Sequence, residues 1–276
     1  MDSIIRLLLL WILATLGLTV IGWFGGNRLG FGFYGPVIML EFVTIITMFI
    51  YFSSDKVLLR WYRAKQMPQE HNSYKIVDEL ARKIDIPTPK LFVAEMSIPT
   101  IFAVGRNSRH ASIVLTSSLI DLLDEEELGA VVAHEMYHID RGDTFVSTVV
   151  AAVAGIPTIL INSTSVFFGF FVATLVAPPA ALVIKLTMPL SREHFADLKS
   201  VDIFGKAEKL SSALYKIQER LDSNNYKVNP SHVHLFILNP LHYNRLKLLG
   251  LELPTYNRLF NTHPPINERL NMLKSF

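Results

Sequence analysis

"VVAHEMYHIDRGD", Val131 to Asp143, sets His134 and His138 four residues apart with Glu135 beside the first histidine. On a helix, positions i and i+4 lie on one face, one turn apart. Both imidazoles can therefore reach a single metal ion. Glu135 then projects beside that ion rather than onto it, where a carboxylate serves as base towards water made acidic by the metal. An independent signal says that the stretch is helical. Asp124 followed by Glu127 reads as a capping box, and Glu125, Glu126 and Glu127 suit the positive end of the helix dipole. The competing reading is an exposed helix carrying two incidental histidines.

A catalytic zinc keeps three protein ligands and one open position, so the motif needs a third ligand. Glu193 in "SREHFAD" is the expected one. Asp197, four residues later, is placed to accept a hydrogen bond from a ligand histidine and orient its ring. The competing reading for Glu193 is a surface ion pair with Arg192 or Lys199.

The rest of the chain places this site at a membrane. Of 276 residues, 50% are apolar and only 18% charged, and mean hydropathy is +0.34. Net charge is +2, so nothing points to nucleic acid. Cysteine is absent, which excludes disulfides, thiolate metal sites and cysteine nucleophiles. Apolar runs cover 4–24, 33–52, 144–161 and 165–188, and a bilayer is crossed by about 20 apolar residues. The first run ends in "GWFGG" without a small-x-small cleavage site, which reads as a retained anchor. Only Arg28 lies between the first two runs, whereas Lys56, Arg60, Arg63 and Lys65 follow the second. The positive-inside rule then puts both termini and the region 54–143 in the cytoplasm. Pro157, Pro178 and Pro179 interrupt the later runs, which form either two spans or a re-entrant hairpin. Either way Glu193 returns to the side of His134. Within the runs, Lys185 is placed to snorkel, and Glu41 has no assigned role.

These readings give an α+β fold class and three regions. Residues 1–53 are a two-span anchor, 54–143 with 189–276 a cytoplasmic zinc protease domain, and 144–188 an inserted hydrophobic hairpin. Ile76, Val77, Leu80, Ala81 and Ile84 repeat at helical spacing. "KLFVA", "TIFAVG" and "SIVLT" read as short strands. A helix is expected over 201–221, irregular chain over 222–262, and a last helix from Pro265 to Leu273.

Several stretches carry a family resemblance: "SDKVLLRWYRAK", "IFAVGRN", "LLDEEELGAVVAHEMYHI", "SREHFAD", "HLFILNPL" at 234–241 and "THPPINERLNML". In these, and in their order, the chain resembles the HtpX family of membrane-integrated zinc endopeptidases, relatives of the prenyl-protein CAAX protease. The resemblance implies a zincin-like domain with a small edge sheet, carried on about four membrane helices. It implies one Zn2+ per chain on His134, His138 and Glu193, with Glu135 as general base. It also implies unfolded or damaged membrane proteins as substrates, the lipid bilayer as surroundings, and a multi-pass protein of the plasma membrane in protein quality control. An edge strand, Thr100, Ile101, Phe102 and Ala103, would hold an extended peptide by main-chain hydrogen bonds; the family often has asparagine where this chain has Thr100. In "HPPINER", His263 or Arg269 is a candidate to steady the oxyanion, the alternative being that Arg269 pairs with an acidic neighbour. The competing functions are a non-catalytic zinc-containing membrane protein that binds unfolded chains, or one that transports a small solute. A processing protease for prenylated peptides would call for more than four spans. The sequence names neither the cleavage preference nor the oligomeric state.

Overall fold

The computed structural model describes residues 3–163, 182–184, 186–224, 226, 228–240, 247–248, 251–252 and 263–276. Two apolar helices come first, α1 (Ser3–Leu29) and α2 (Tyr34–Trp61). They form a hairpin whose turn uses Gly30 and Gly32 at φ of 82° and 52°. The helices nearly touch backbone to backbone, since a Cβ on Gly35 would lie 2.2 Å from the Gly22 carbonyl oxygen. Their outer surfaces expose rows of large apolar side chains such as Leu13, Phe24 and Phe49. Both are long and apolar enough to cross a membrane. The end of α2 enters the rest of the protein, where Leu58 is fully buried and the Tyr62 ring lies 5.0 Å from that of Phe102.

Four strands form a mixed sheet: β1 (Lys65–Gln66), β2 (Lys90–Ala94), β3 (Ile101–Gly105) and β4 (Ala111–Thr116), in the order β1-β2-β4-β3. The β2–β4 pair is parallel and the other two pairs are antiparallel. Successive side chains of a strand point to opposite faces, and the two cores divide accordingly. Leu91, Ile101, Ala103, Ile113 and Leu115 join a core with α3 (Asn72–Lys83) and the helices beyond it. Ala94, Phe102, Val104 and Val114 face the other way, onto Leu58, Ala151 and Phe236. Burying each such Leu, Ile or Phe contributes about 1.5–3 kcal/mol.

After the short α4 (Ser117–Leu122), helix α5 (Glu125–Asp140) runs through the first core. The expected capping box starts it: Asp124 accepts from the Glu127 amide at 2.8 Å, and Glu127 accepts from the Asp124 amide at 3.0 Å. The helix is buried almost all round from Glu127 to Ile139, as a central helix is. Gly142, at φ 74°, makes the tight turn into α6 (Asp143–Ser163). That helix is continuous through Pro157, where an interruption was expected. Its first turns pack into the protein body, with Val146, Thr148 and Ala151 fully buried. Among the described residues two helices meet the membrane-spanning criterion. The fourth apolar run lies outside the described residues except at 182–184 and 186–188.

The helix expected over 201–221 is two helices, α7 (Ser191–Phe204) and α8 (Ala207–Asp222). Gly205, left-handed at φ 90°, ends the first. Leu210, Leu214 and Ile217 of α8 are fully buried, as their spacing predicts. A 3-10 turn (Pro230–Leu235), a two-stranded pair of β5 (Lys247–Leu248) with β6 (Leu251–Glu252), and α9 (Ile266–Leu273) complete the described chain.

Gly129 lets α7 close on α5, because a Cβ there would lie 2.5 Å from the Phe204 ring. Gly129→Leu is therefore expected to cost about 1–3 kcal/mol through overpacking and to lower metal occupancy without touching a ligand. Thermal unfolding and metal analysis of the solubilised chain test both effects.

Candidate metal centre

His134 and His138 leave α5 on one face, with ring centroids 5.0 Å apart. Glu193, in the first turn of α7, meets them. Its Oε2 is 3.5 Å from His134 Nε2 and its Oε1 is 3.6 Å from His138 Nε2. All three side chains are buried, and one donor atom from each lies within 4.8 Å of the other two. Ligands bound to one tetrahedral ion at the bond lengths of zinc sites stand roughly 3.4 Å apart, so the observed spacing fits a single ion. Among the described residues neither nitrogen of His134 has a partner aligned for a hydrogen bond, although both are buried. An ion between the three groups would satisfy Nε2. Two imidazoles and one carboxylate, with no thiolate, suit a divalent metal.

Each histidine is backed by a carboxylate. Asp197 Oδ1 is 3.0 Å from His134 Nδ1, close but off-line for a hydrogen bond. Asp143 Oδ2 lies 3.4 Å from His138 Nδ1. Such partners fix the ring and leave Nε2 as the metal-facing atom. Asp143 was not foreseen. It lies five positions after His138, off the helical face, and reaches back only because Gly142 reverses the chain. Arg192 was expected as an alternative partner that would keep Glu193 at the surface. It does bond Glu193 Oε1, at 3.1 Å, but Glu193 is buried and faces the histidines as well. Lys199 pairs with Asp202 instead.

For Arg269 the structure shows the second of the two alternatives, pairing with an acidic neighbour. Arg269 is fully buried and donates to both Asp197 oxygens, at 2.7 and 2.6 Å, and to the Ile237 carbonyl at 2.7 Å. Its guanidinium holds the carboxylate behind His134, so it is not placed as an oxyanion donor. His263 remains beside the cluster, its Nε2 3.8 Å from Glu193 Oε2.

Ala103, Glu135, His138, Glu193, His234 and His263 share a cavity of about 20 Å³, room for about one water. Ala103 brings in β3, which stands at the sheet edge. The Thr116 amide bonds the Thr100 carbonyl at 3.1 Å. In an antiparallel ladder such bonded pairs alternate, so Phe102 and Val104 spend their amides on β4. Ile101, Ala103 and Gly105 turn theirs away from β4, to the side of the strand that pairs with no other strand of this sheet, although the strand itself is buried. Gly105 gives its N–H to Thr148 Oγ1 at 3.0 Å, which closes one end. Thr100 is buried, and its hydroxyl donates weakly to the Ile101 carbonyl at 3.4 Å.

Charge in the cluster follows from these contacts. Burial disfavours the Glu193 carboxylate, yet the two histidines outweigh it and hold its pKa well below the usual range. Burial likewise opposes ionisation of Asp197, and Arg269 and His134 overcome it. For His134, burial lowers the pKa but Asp197 and Glu193 raise it more, to about 9. Burial lifts Glu135 above the ordinary carboxylate value.

A metal can bind His134 only without its proton. Below pH 9 that proton must be displaced, so apparent metal affinity is expected to rise with pH, by about tenfold per unit for this one proton. It should level off above the pKa of about 9. Chelator competition across pH 6–8.5, ranges chosen on the order of this titration, measures the slope, and an affinity independent of pH would contradict the assignment.

The family model described as Peptidase family M48 matches residues 68–276. The chain is 32% identical to a protein named "Protease HtpX homolog" from Desulforapulum autotrophicum, over 90% of this chain and 83% of that one. It is 33% identical to a protein of the same name from Pyrococcus furiosus, over 87% of this chain and 86% of that one. A crystal structure of S. mikatae Ste24p aligns at 18% identity with a TM-score of 0.49, over 98% of this chain and 65% of that chain.

Proposed function

This chain belongs to peptidase family M48, and on that premise we propose that it is a membrane-bound zinc endopeptidase acting on unfolded or damaged membrane proteins at the cytoplasmic face. The observation that carries the reading is Glu135. It is buried in the same cavity as His138 and Glu193, beside a histidine pair spaced for one ion. A site that only bound metal, or only captured polypeptide, has no use for a desolvated carboxylate at that position.

Zinc held by His134, His138 and Glu193 would supply Lewis acidity to the scissile carbonyl and to the attacking water. Glu135 takes the proton from that water and passes it to the departing amine. Its raised pKa brings it closer to neutral pH, where a general base works best. Asp197 and Asp143 keep the two imidazoles in the tautomer that presents Nε2, and Arg269 keeps Asp197 ionised. His263 stands near enough to the site to meet developing charge on the carbonyl oxygen. The side of β3 turned away from β4 would offer the amides and carbonyls of Ile101 and Ala103 to an extended peptide, contacts that read sequence loosely. That suits a substrate class defined by being unfolded. The helices α1 and α2 would hold this cleft at the bilayer surface, with Lys56, Arg60, Arg63 and Lys65 setting the cytoplasmic side.

Glu135→Gln is expected to bind zinc as the parent does and to lose cleavage of an unfolded protein by at least about 100-fold. The assay uses the full zinc-loaded chain in detergent, kept with chelator until zinc is added. Full activity in the variant would overturn the role given to Glu135.

A further inference from the structure

An extended peptide lying along β3 meets only half of its hydrogen-bonding needs there. Alternate residues turn their N–H and C=O groups to the strand, and the others turn theirs away. In a water-poor cleft each group left over costs free energy unless the enzyme offers a partner. His234 has the properties of such a partner. It is 2% exposed and lines the same cavity as Ala103, Glu135 and Glu193. Its Nε2 is 3.2 Å from the backbone carbonyl of Ser147. A carbonyl oxygen only accepts, so Nε2 carries the proton and Nδ1 is a bare acceptor. That Nδ1 is buried and, among the described residues, has no hydrogen-bond partner. Burial also keeps the ring neutral, pushing its pKa down to about 3. The neighbouring His232 differs, since the Tyr62 hydroxyl stands 2.8 Å from its Nδ1. A neutral imidazole with its donor spent and its acceptor unpaired cannot donate to an oxyanion. It can receive an N–H.

We propose that His234 Nδ1 accepts a hydrogen bond from a backbone N–H of the bound polypeptide, one that faces away from β3. This makes His234 a substrate-binding residue, and it rests on the endopeptidase reading above. The bond is made to substrate and transition state alike, so its loss raises KM and leaves kcat nearly unchanged.

Two variants separate this role from a structural one. In His234→Asn the amide oxygen can take the place of Nδ1, while the bond to Ser147 is lost. In His234→Gln the terminal amide can replace Nε2–H and keep the bond to Ser147, while the acceptor is lost. Both are assayed as full zinc-loaded chains in detergent on a peptide that the parent cleaves, and on a series in which each backbone N–H in turn becomes an ester oxygen. The Asn variant is expected to stay near the parent KM, and the Gln variant to show a KM higher by about tenfold, the worth of one hydrogen bond. At one position the ester should weaken the parent by a similar factor and leave the Gln variant unaffected. Rescue by Gln rather than Asn, or no position coupled to residue 234, would overturn the proposal. A parent that cleaves no peptide at all would refute the endopeptidase reading itself, and the proposal with it.

Discussion

The site depends on one buried carboxylate, Asp197, held between Arg269 and His134. Both partners are fully buried, and the contacts are 2.6 and 2.7 Å from Arg269 and 3.0 Å from His134. A buried ion pair adds little net stability, because desolvation consumes most of the attraction. What this one fixes is direction. Arg269 on α9 pulls Asp197 to a defined place on α7, and Asp197 sets the His134 ring on α5. Glu193, one turn before Asp197 on the same helix, then falls opposite both histidines. Three segments remote in sequence are registered by a single carboxylate.

Around that anchor the fold arranges a donor set and one residue of the edge strand β3, Ala103, about one small cavity. The central helix α5 is buried on every side, so its histidines cannot turn to solvent. The turn at Gly142 brings Asp143 back to His138, and the following helix supplies Ser147 and Thr148 to the same neighbourhood. The apolar segment that begins at residue 144 therefore contributes its first turns to the site. The end of α2 is tied to the sheet through Leu58 and Tyr62, which links the apolar hairpin to the body carrying the metal ligands.

Much of this was legible in the sequence. The spacing of His134 and His138 and the capping box at Asp124 are local facts, and local periodicity reads them directly. Strands β2, β3 and β4 were visible as short apolar runs between turn residues. Glu193 was reachable because it follows the fourth apolar run directly, which by span parity suggested the side of His134, and Asp197 because it repeats at helical spacing. What escaped depends on contacts between distant segments. Arg269 binds across 72 residues to Asp197, and nothing in "HPPINER" says which carboxylate it meets. Asp143 needed the left-handed turn at Gly142. The break at Gly205 was hidden because the apolar spacing of α8 continues that of the helix before it. Arg192, Ser147 and His234 carry no spacing signal at all, since their roles come from packing around α6.

The central claim is that His134, His138 and Glu193 hold one metal ion with a position left open. X-ray absorption at the zinc edge on the purified full chain tests this most directly. One zinc per chain is expected, with two imidazoles and further oxygen ligands at about 2.0–2.2 Å. A closed shell of four protein ligands dominated by imidazole, or no tightly bound metal, would contradict it.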